Sequence, residues 1–338
     1  MSGSENISWQ QVVAQYQIPH RWRAIWQLVN TFIPYAGLWY LMVQSLEISY
    51  ALTLALSVVA GGLLVRIFII FHDCGHGSFF KSQKANGFWG YITGVLILTP
   101  GYHWWHKHAQ HHATSGDLDS RGIGDVWTMT VQEYLAASRW TRIKYRISRH
   151  PICLFVIGPP ILFFILHRIP WKKSGPRAMH SVHWTNVGIL AVAVAMGLLI
   201  GLKAYLVILL PVICIAAAAG VWLFYVQHQF EGVYWERREQ WDYLSEALHG
   251  SSFYKLPRVL QWFTGNIGFH HIHHLSPRIP NYYLERCHYE TGLFKDVKPV
   301  TLLSSLKSLR FTLWDEENHQ LVGFNYLKRF AVPHPGAL

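Results

Sequence analysis

The sequence predicts an all-α integral membrane protein, with four transmembrane helices paired as two hairpins beneath a helical, histidine-rich cap. Three observations carry this. Four uncharged apolar runs approach or exceed the length of about 20 residues that a bilayer crossing needs. The chain of 338 residues is 51% hydrophobic and only 14% charged, less than an ordinary soluble enzyme carries. Histidine outnumbers aspartate and glutamate together, 21 against 18, and much of it is clustered.

The same composition excludes several classes. A disordered chain is poor in apolar residues and rich in charge. A disulfide scaffold needs more than Cys74, Cys153, Cys214 and Cys287, which form no CxxC pair and read as free thiols in a reducing compartment. The net charge of +11 suggests an anionic partner, but no Lys/Arg run of five exists to make a nucleic-acid arm. The first residues, MSGSENISWQQVVAQ, lack the basic and apolar parts of a secretory signal. A mean hydropathy barely above zero implies a large polar portion outside the bilayer.

Taken in order, the first span covers residues 25–46, between Arg23 and Glu47, with core NTFIPYAGLWYLMVQSL. The second covers 48–70 and continues past Arg66 through IFIIF. Phe88–Thr99 is only 12 residues long, so it is expected to be re-entrant or interfacial. Ile152–Leu166 carries Gly158-Pro159-Pro160 at its centre, which breaks helical hydrogen bonding, and is expected to be interfacial or half-buried. The third and fourth spans cover 184–202 and 204–227, and short turns pair first with second and third with fourth. Between Lys81 and Arg177 there are 13 Lys/Arg against four Asp/Glu. The positive-inside rule therefore puts that segment in the cytoplasm. Residues 71–183 and 228–338 then form one cytosolic cap, with both termini inside, and 1–338 make a single domain.

His72 and His76 (HDCGH) lie where the second span leaves the membrane; an i, i+4 pair shares one helix face. His108, His111 and His112 form an HxxHH cluster, and His270, His273 and His274 repeat that spacing around His271. His228 ends the fourth span. The topology brings all of them to one membrane face. A lone histidine is usually a satisfied or solvated residue, but imidazoles packed together without a partner cost free energy. Metal binding explains the pattern, and the number of imidazoles exceeds one ion's needs, so two metals sharing them is the economical solution. Imidazole suits zinc, copper, iron and nickel, so the donors alone leave the metal open.

HDCGH, HAQHH and HHIHH resemble the three histidine boxes of the membrane fatty-acid desaturase superfamily. WLFYVQHQFE and TGNIGFHHIHHLSPRIPNYYL are similar to the bacterial acyl-lipid desaturases, nearest to the cold-induced delta-5 type of Gram-positive bacteria, and the likeness runs through nearly the whole chain. The resemblance implies two non-haem iron ions, O2 as co-substrate, acyl chains of membrane phospholipids as substrate, and the bacterial cell membrane as location. It carries the ligand set over to His72, His76, His108, His111, His112, His228, His270, His273 and His274. His271 fills a variable position of its box and is left out. His103 and His106 precede the second box and are expected to sit behind the ligands or at the surface.

Asp73, Asp119 and Asn266 are candidates for orienting the ligands from behind, an arrangement that fixes an imidazole by accepting its second N–H. Asp117 and Asp125 follow the second box and could do the same. Arg66 is expected to snorkel to headgroups, with a contact to the substrate headgroup as the sharper alternative. His334-Pro335-Gly336 resembles the haem loop of a cytochrome b5 but has no such domain around it, and Gly122-Ile123-Gly124 lacks the third glycine of a dinucleotide fingerprint. Electrons must then come from a separate carrier, a ferredoxin or flavodoxin drawn by the basic surface. Regiochemistry on an uncharged chain must come from an apolar tunnel, with Trp222 and Phe224 as candidate lining. Two rivals remain at this stage. A di-iron hydroxylase acting on an alkane or lipid would share the boxes. A metal transporter would place histidines and acids inside the spans, where this sequence has almost none.

Overall fold

A computed structural model describes residues 8–122, 124–170 and 175–330; His334-Pro335-Gly336 and Ile123 lie outside the described residues. The chain is mostly helical. Helix α1 (Trp9–Ala14) precedes α2 (Arg21–Ser45) and α3 (Tyr50–Gly75). Then come α4 (Gln83–Leu96), α5 (Gly101–Thr114), α6 (Val131–Ala136), α7 (Arg139–Ser148) and α8 (Gly158–Phe164). Two long apolar helices follow, α9 (Gly175–Ile200) and α10 (Leu202–His228). The rest is short: α11 (Tyr243–Ser245), α12 (Arg258–Phe263), α13 (His270–Leu275), α14 (Asn281–Glu290) and α15 (Leu302–Ser305).

In hydrocarbon every backbone N–H and C=O must be paired internally, which is why the apolar runs become unbroken helices. Helices α3, α9 and α10 are long and apolar enough to cross a membrane. The first expected span is helical throughout, but Asn30, Thr31, Pro34 and Gln44 dilute its apolar residues, and α2 falls short of the apolarity that the other three reach. A bent pair, α7 with residues 153–168, is the fourth candidate, its halves meeting at 62°. Residues 152–166 are mostly half-buried or exposed, and what is corrected is only the expected break at the prolines. Pro159 and Pro160 do not break a helix centre; they stand in the first turn of α8, after a π-turn over Cys153–Ile157, where a missing N–H costs nothing. Helix α4 is 14 residues long, about 21 Å at 1.5 Å per residue, and so too short to cross. Helix α9 starts nine residues before the expected boundary of 184, because the polar stretch around His180 and His183 is already helical.

Helix α3 packs on α2, α4 and α10, and α10 also packs on α9. A Cβ at Gly61 would come within 2.8 Å of the Ile215 side chain, so the missing side chain lets α3 and α10 approach. Gly201 alone joins α9 to α10, at φ +87°, which only glycine adopts without strain. The all-α expectation is corrected in one respect. Short strands β1 (Met129–Thr130), β4 (Leu313–Asp315) and β5 (Gln320–Val322) form one sheet, and β2 (Phe253–Tyr254) pairs with β3 (Pro299–Val300). They tie the segment after α5 to the C-terminal region. Arg149 reinforces that tie from the end of α7, donating to Tyr225, Gln229 and the carbonyl of Phe311 at 2.8–3.2 Å.

Candidate metal centre

Four elements bring the histidines together. His72 ends α3 and His76 caps it; His108, His111 and His112 occupy the last two turns of α5; His228 ends α10; and α13 begins at His270. Aromatic packing fixes α5 on α3. Trp104 stacks on His108 with centroids 4.4 Å apart and meets Phe68 and Phe71 edge-on or tilted, while Trp105 Nε1 donates to the Phe71 carbonyl. Helix α13 is held from both sides. Gln227 Nε2 donates to the Ile267 carbonyl, and the Tyr243 hydroxyl donates to that of His274.

The imidazoles fall into two adjoining groups. His72, His76, His108, His112 and His273 offer nitrogens that all lie within 4.8 Å of one another; His111, His228 and His274 form a second such set. His270 adjoins the second set, its Nε2 3.0 Å from that of His228. Helical spacing explains the division. In α5 the i, i+4 pair His108/His112 faces the first group and His111 the second; in α13 His273 faces the first and the pair His270/His274 the second. The groups touch where His112 and His274 rings lie 4.3 Å apart.

The spacing suits a shared cation. His273 and His112 Nε2 are 2.9 Å apart, His112 and His108 3.1 Å, and His111 and His228 3.2 Å. Nitrogens about 2.0–2.1 Å from one ion and at right angles to each other lie about 2.9 Å apart. Burial, and then the neighbouring imidazoles, hold His76, His108, His112, His270, His273 and His274 well below the ordinary histidine range. They are neutral, so lone pairs rather than protons converge. His76 Nε2 and His274 Nε2 are buried with no hydrogen-bond partner, a cost that a metal removes. The arrangement is compatible with a non-haem di-iron site.

Three carboxylates brace the rings. Asp73 Oδ1 lies 3.1 Å from His72 Nδ1, and its Oδ2 accepts from the backbone and side-chain nitrogens of Asn281. Asp125 Oδ1 lies 2.7 Å from His111 Nδ1, which leaves Nε2 as the lone pair. Glu246, fully buried, lies 3.2 Å from His274 Nδ1, and burial pushes its carboxyl up to about 7. Glu246 was not singled out in the sequence, because it lies 28 residues from His274 along the chain.

Other expectations are corrected. Asp119 is engaged by Arg237 and by the Arg238 backbone, because α5 ends at Thr114 and the chain turns toward residues 236–238. Asp117 is likewise taken by Arg238 and by the Asp119 backbone. Asn266 precedes α13 in a left-handed turn (φ +60°), so helical spacing to His270 does not apply; its amide donates to the Asn281 carbonyl, one residue step removed from Asp73. Arg66 does not snorkel. It is buried, its Nε donates to Thr31, its guanidinium reaches the Trp262 carbonyl, and it lies over the Trp262 ring at 4.3 Å. His271 turns away to His288 Nδ1, 3.1 Å distant. His103 is buried beneath Ser181 and His106 is exposed. Phe224 packs on His111 and His228, whereas Trp222 packs on Phe155 and Tyr225.

Residues 48–297 match the family model described as fatty acid desaturase. A fatty acid desaturase of Bacillus subtilis (strain 168) is 50% identical over 323 residues, 96% of this chain and 92% of that protein. An endoplasmic-reticulum omega-3 fatty acid desaturase of Vigna radiata var. radiata is 28% identical over 66% of this chain, which spans 60% of the plant protein. An sn-1 acyl-lipid omega-3 desaturase (ferredoxin) of Synechocystis is 26% identical over 68% of this chain and 64% of its own length. The family's match over most of the chain and a half-identical bacterial relative along nearly all of it agree with the histidine geometry: this chain belongs to the fatty acid desaturase family of oxygen-dependent membrane oxidoreductases.

Proposed function

We propose that this protein is a delta-5 acyl-lipid desaturase of the bacterial cell membrane, which introduces a cis double bond into phospholipid acyl chains. The observation that carries the reading is the paired set of converging, mostly buried imidazoles at the ends of α3, α5 and α10 and in α13. In this reading His72, His76, His108, His112 and His273 hold one iron, and His111, His228, His270 and His274 hold the other. Asp73, Asp125 and Glu246 orient and polarise them. Bound iron supplies the oxidation of an unactivated methylene by O2. The balance is saturated chain plus O2, two electrons and two protons, giving the unsaturated chain and two waters. The electrons come from a ferredoxin or flavodoxin; the name of the cyanobacterial relative supports that class of donor.

The protein's own contribution is placement. Trp104 and Phe224 close over His108 and over His111 with His228, so rigid rings, not solvent, border the imidazoles. An acyl chain offers no charge to grip, so its position depends on such walls, and displacement by about 1 Å can cost roughly a hundredfold in rate. Residues 71–183 and 228–338, apart from the bent apolar segment 153–168 and the start of α9, form the cytosolic cap in this reading, with both termini on that side. The test is expression in a host that lacks desaturases, with the new double bond located by mass spectrometry. A cis bond at the fifth carbon is expected. A hydroxylated lipid with no double bond, or purified protein without iron, overturns the reading.

A further inference from the structure

A polar cleft of about 430 Å³ opens beside the first histidine group, and His76 lies at its floor. His76 is one of the two partly exposed members of that group; His72, His112 and His273 are buried. Lys81 and Arg278 flank the cleft, with Gln17 and Gln83 between them. Both cations are exposed, and neither forms an ion pair with the described residues. Among the described surface cations, Arg121, Arg237, Arg286 and Lys307 are paired, on Glu133, on Asp119 and Glu316, on Glu290 and on Glu231, while Lys81 and Arg278 belong to those that are not. A second cavity, beside His228 and Asp125, holds only about 20 Å³.

We propose that this cleft is the docking site of the electron carrier, and that the carrier presents an acidic edge to Lys81 and Arg278 with its redox group facing His76. The inference rests on the desaturase reading and places its electron donor. The lining argues for this occupant over the lipid. Apart from Pro19, Gly75 and Gly77 its lining side chains are polar or charged, and the unpaired cations at its rim steer an acidic protein and orient it. His76 joins that surface to the metal-holding group, since it both lines the cleft and belongs to the group. Each docking moves one electron from the reduced carrier to the centre, and the carrier leaves oxidised. Two dockings, with the two electrons from the broken C–H bonds, complete the four that reduce O2 to water.

The test measures binding of the full-length, detergent-solubilised protein to an oxidised acidic ferredoxin, at low and at physiological salt. The double variant Lys81→Glu/Arg278→Glu is expected to bind roughly tenfold or more weakly at low salt and to lose most of the salt dependence. Lys203→Glu, in the first turn of α10, is the control and is expected to bind as the parent does. Turnover driven by ferredoxin should show a raised KM for ferredoxin in the double variant, with iron content unchanged. Parental ferredoxin affinity in the double variant overturns the proposal. So does a variant whose KM rises for the lipid and not for ferredoxin, which would assign the cleft to a phosphate headgroup. Failure of the desaturase reading itself looks different: the parent protein makes no double bond with any reductant.

Discussion

The two histidine groups draw on the same boxes, yet they are braced differently. In the first group one of five rings has a carboxylate behind it, Asp73 on His72, and His112 Nδ1 is buried without a partner. In the second, Asp125 backs His111, Glu246 backs His274, and Ser115 Oγ lies 3.5 Å from His228 Nδ1. A carboxylate behind an imidazole fixes its tautomer and raises its basicity. The first group thus gathers more donors with less support, and the second fewer donors with more. In the proposed reading one metal would be held by number and the other by orientation. The first also adjoins the open cleft at His76, while the second is shut in by Phe224 and a narrow cavity. In that reading, access for a carrier and rigidity of the ligands would be divided between the two halves of one site.

The strongest way to break the comparison is to remove one donor from each half. His273→Ala and His274→Ala are neighbours in α13 that face different groups. Each is expected to lower desaturation by more than the roughly hundredfold that marks the upper end for losing an outer partner. Elemental analysis should separate them. With fewer ligands, the second group is expected to lose its iron completely in His274→Ala, leaving about one iron per chain, whereas His273→Ala retains part of the first. Identical iron loss in both variants means that the groups do not hold separate ions.

Removing the supports is the next step down. Asp125→Asn and Glu246→Gln are each expected to weaken metal retention or activity by about 10–100-fold. Asp73→Asn carries a second defect, because Asp73 also holds Asn281 and through it the start of α14. It is therefore expected to lower thermal stability as well, measured on the metal-free protein, while Asp125→Asn leaves stability nearly intact. Equal stability of the two variants removes the distinction between a carboxylate that orients and one that also ties elements together.

Acid should sharpen the contrast. The six imidazoles held low are neutral in the fold, whereas an unfolded histidine titrates near about 6.5. Below that pH the unfolded chain binds protons that the folded chain refuses. Stability of the metal-free protein is therefore whole above about pH 6.5 and falls as pH drops. Glu246 acts in the opposite sense. Its carboxyl, raised to about 7, keeps a proton that the unfolded chain releases above about 4.3, so it adds stability as pH falls through 7. The Tm of metal-free protein is expected to fall by several degrees between about pH 7 and 5.5, and to fall more steeply in Glu246→Gln. A flat profile means that the imidazoles are not buried neutral without metal.

These residues also mark what the sequence could show. The boxes were legible because i, i+3 and i+4 spacing on a helix is a local property, and so was the convergence of helix ends on one membrane face. Asp125 was a candidate by its closeness to the second box and does lie behind His111, whereas Glu246 depends on a π-turn over Glu246–Gly250, which no local pattern encodes. Asp119 and Asn266 failed for a related reason: each was placed by proximity to a box, but the helix ended before the one and began after the other. Arg66 looked like a snorkelling cation because nothing near it in sequence could satisfy it. Its partners, Thr31 and Trp262, are 35 and 196 residues away. Similarly α2 was long enough to read as a span, and what sets it apart is the polar residues that dilute it, of which Thr31 meets Arg66 of α3.

The smallest effect is expected at His271, inside the same box as His270, His273 and His274. Its side chain is as buried as theirs, and burial holds it equally low, so neither exposure nor charge state separates it from the ligands. Direction does. Its Nε2 meets His288 Nδ1, and its ring packs among Phe253 and Phe294, on the side of α13 away from both groups. Removing it therefore costs a hydrogen bond and some packing, and no metal donor. His271→Asn is expected to destabilise the protein by about 1 kcal/mol, the net worth of one such bond, with iron content and double-bond yield close to the parent. His288→Ala should give a similar loss, and the double variant little more, because both remove the same contact. If His271→Asn instead loses iron as His270→Ala does, the pairing with His288 is not what the box uses this imidazole for, and the second group gains a fifth member.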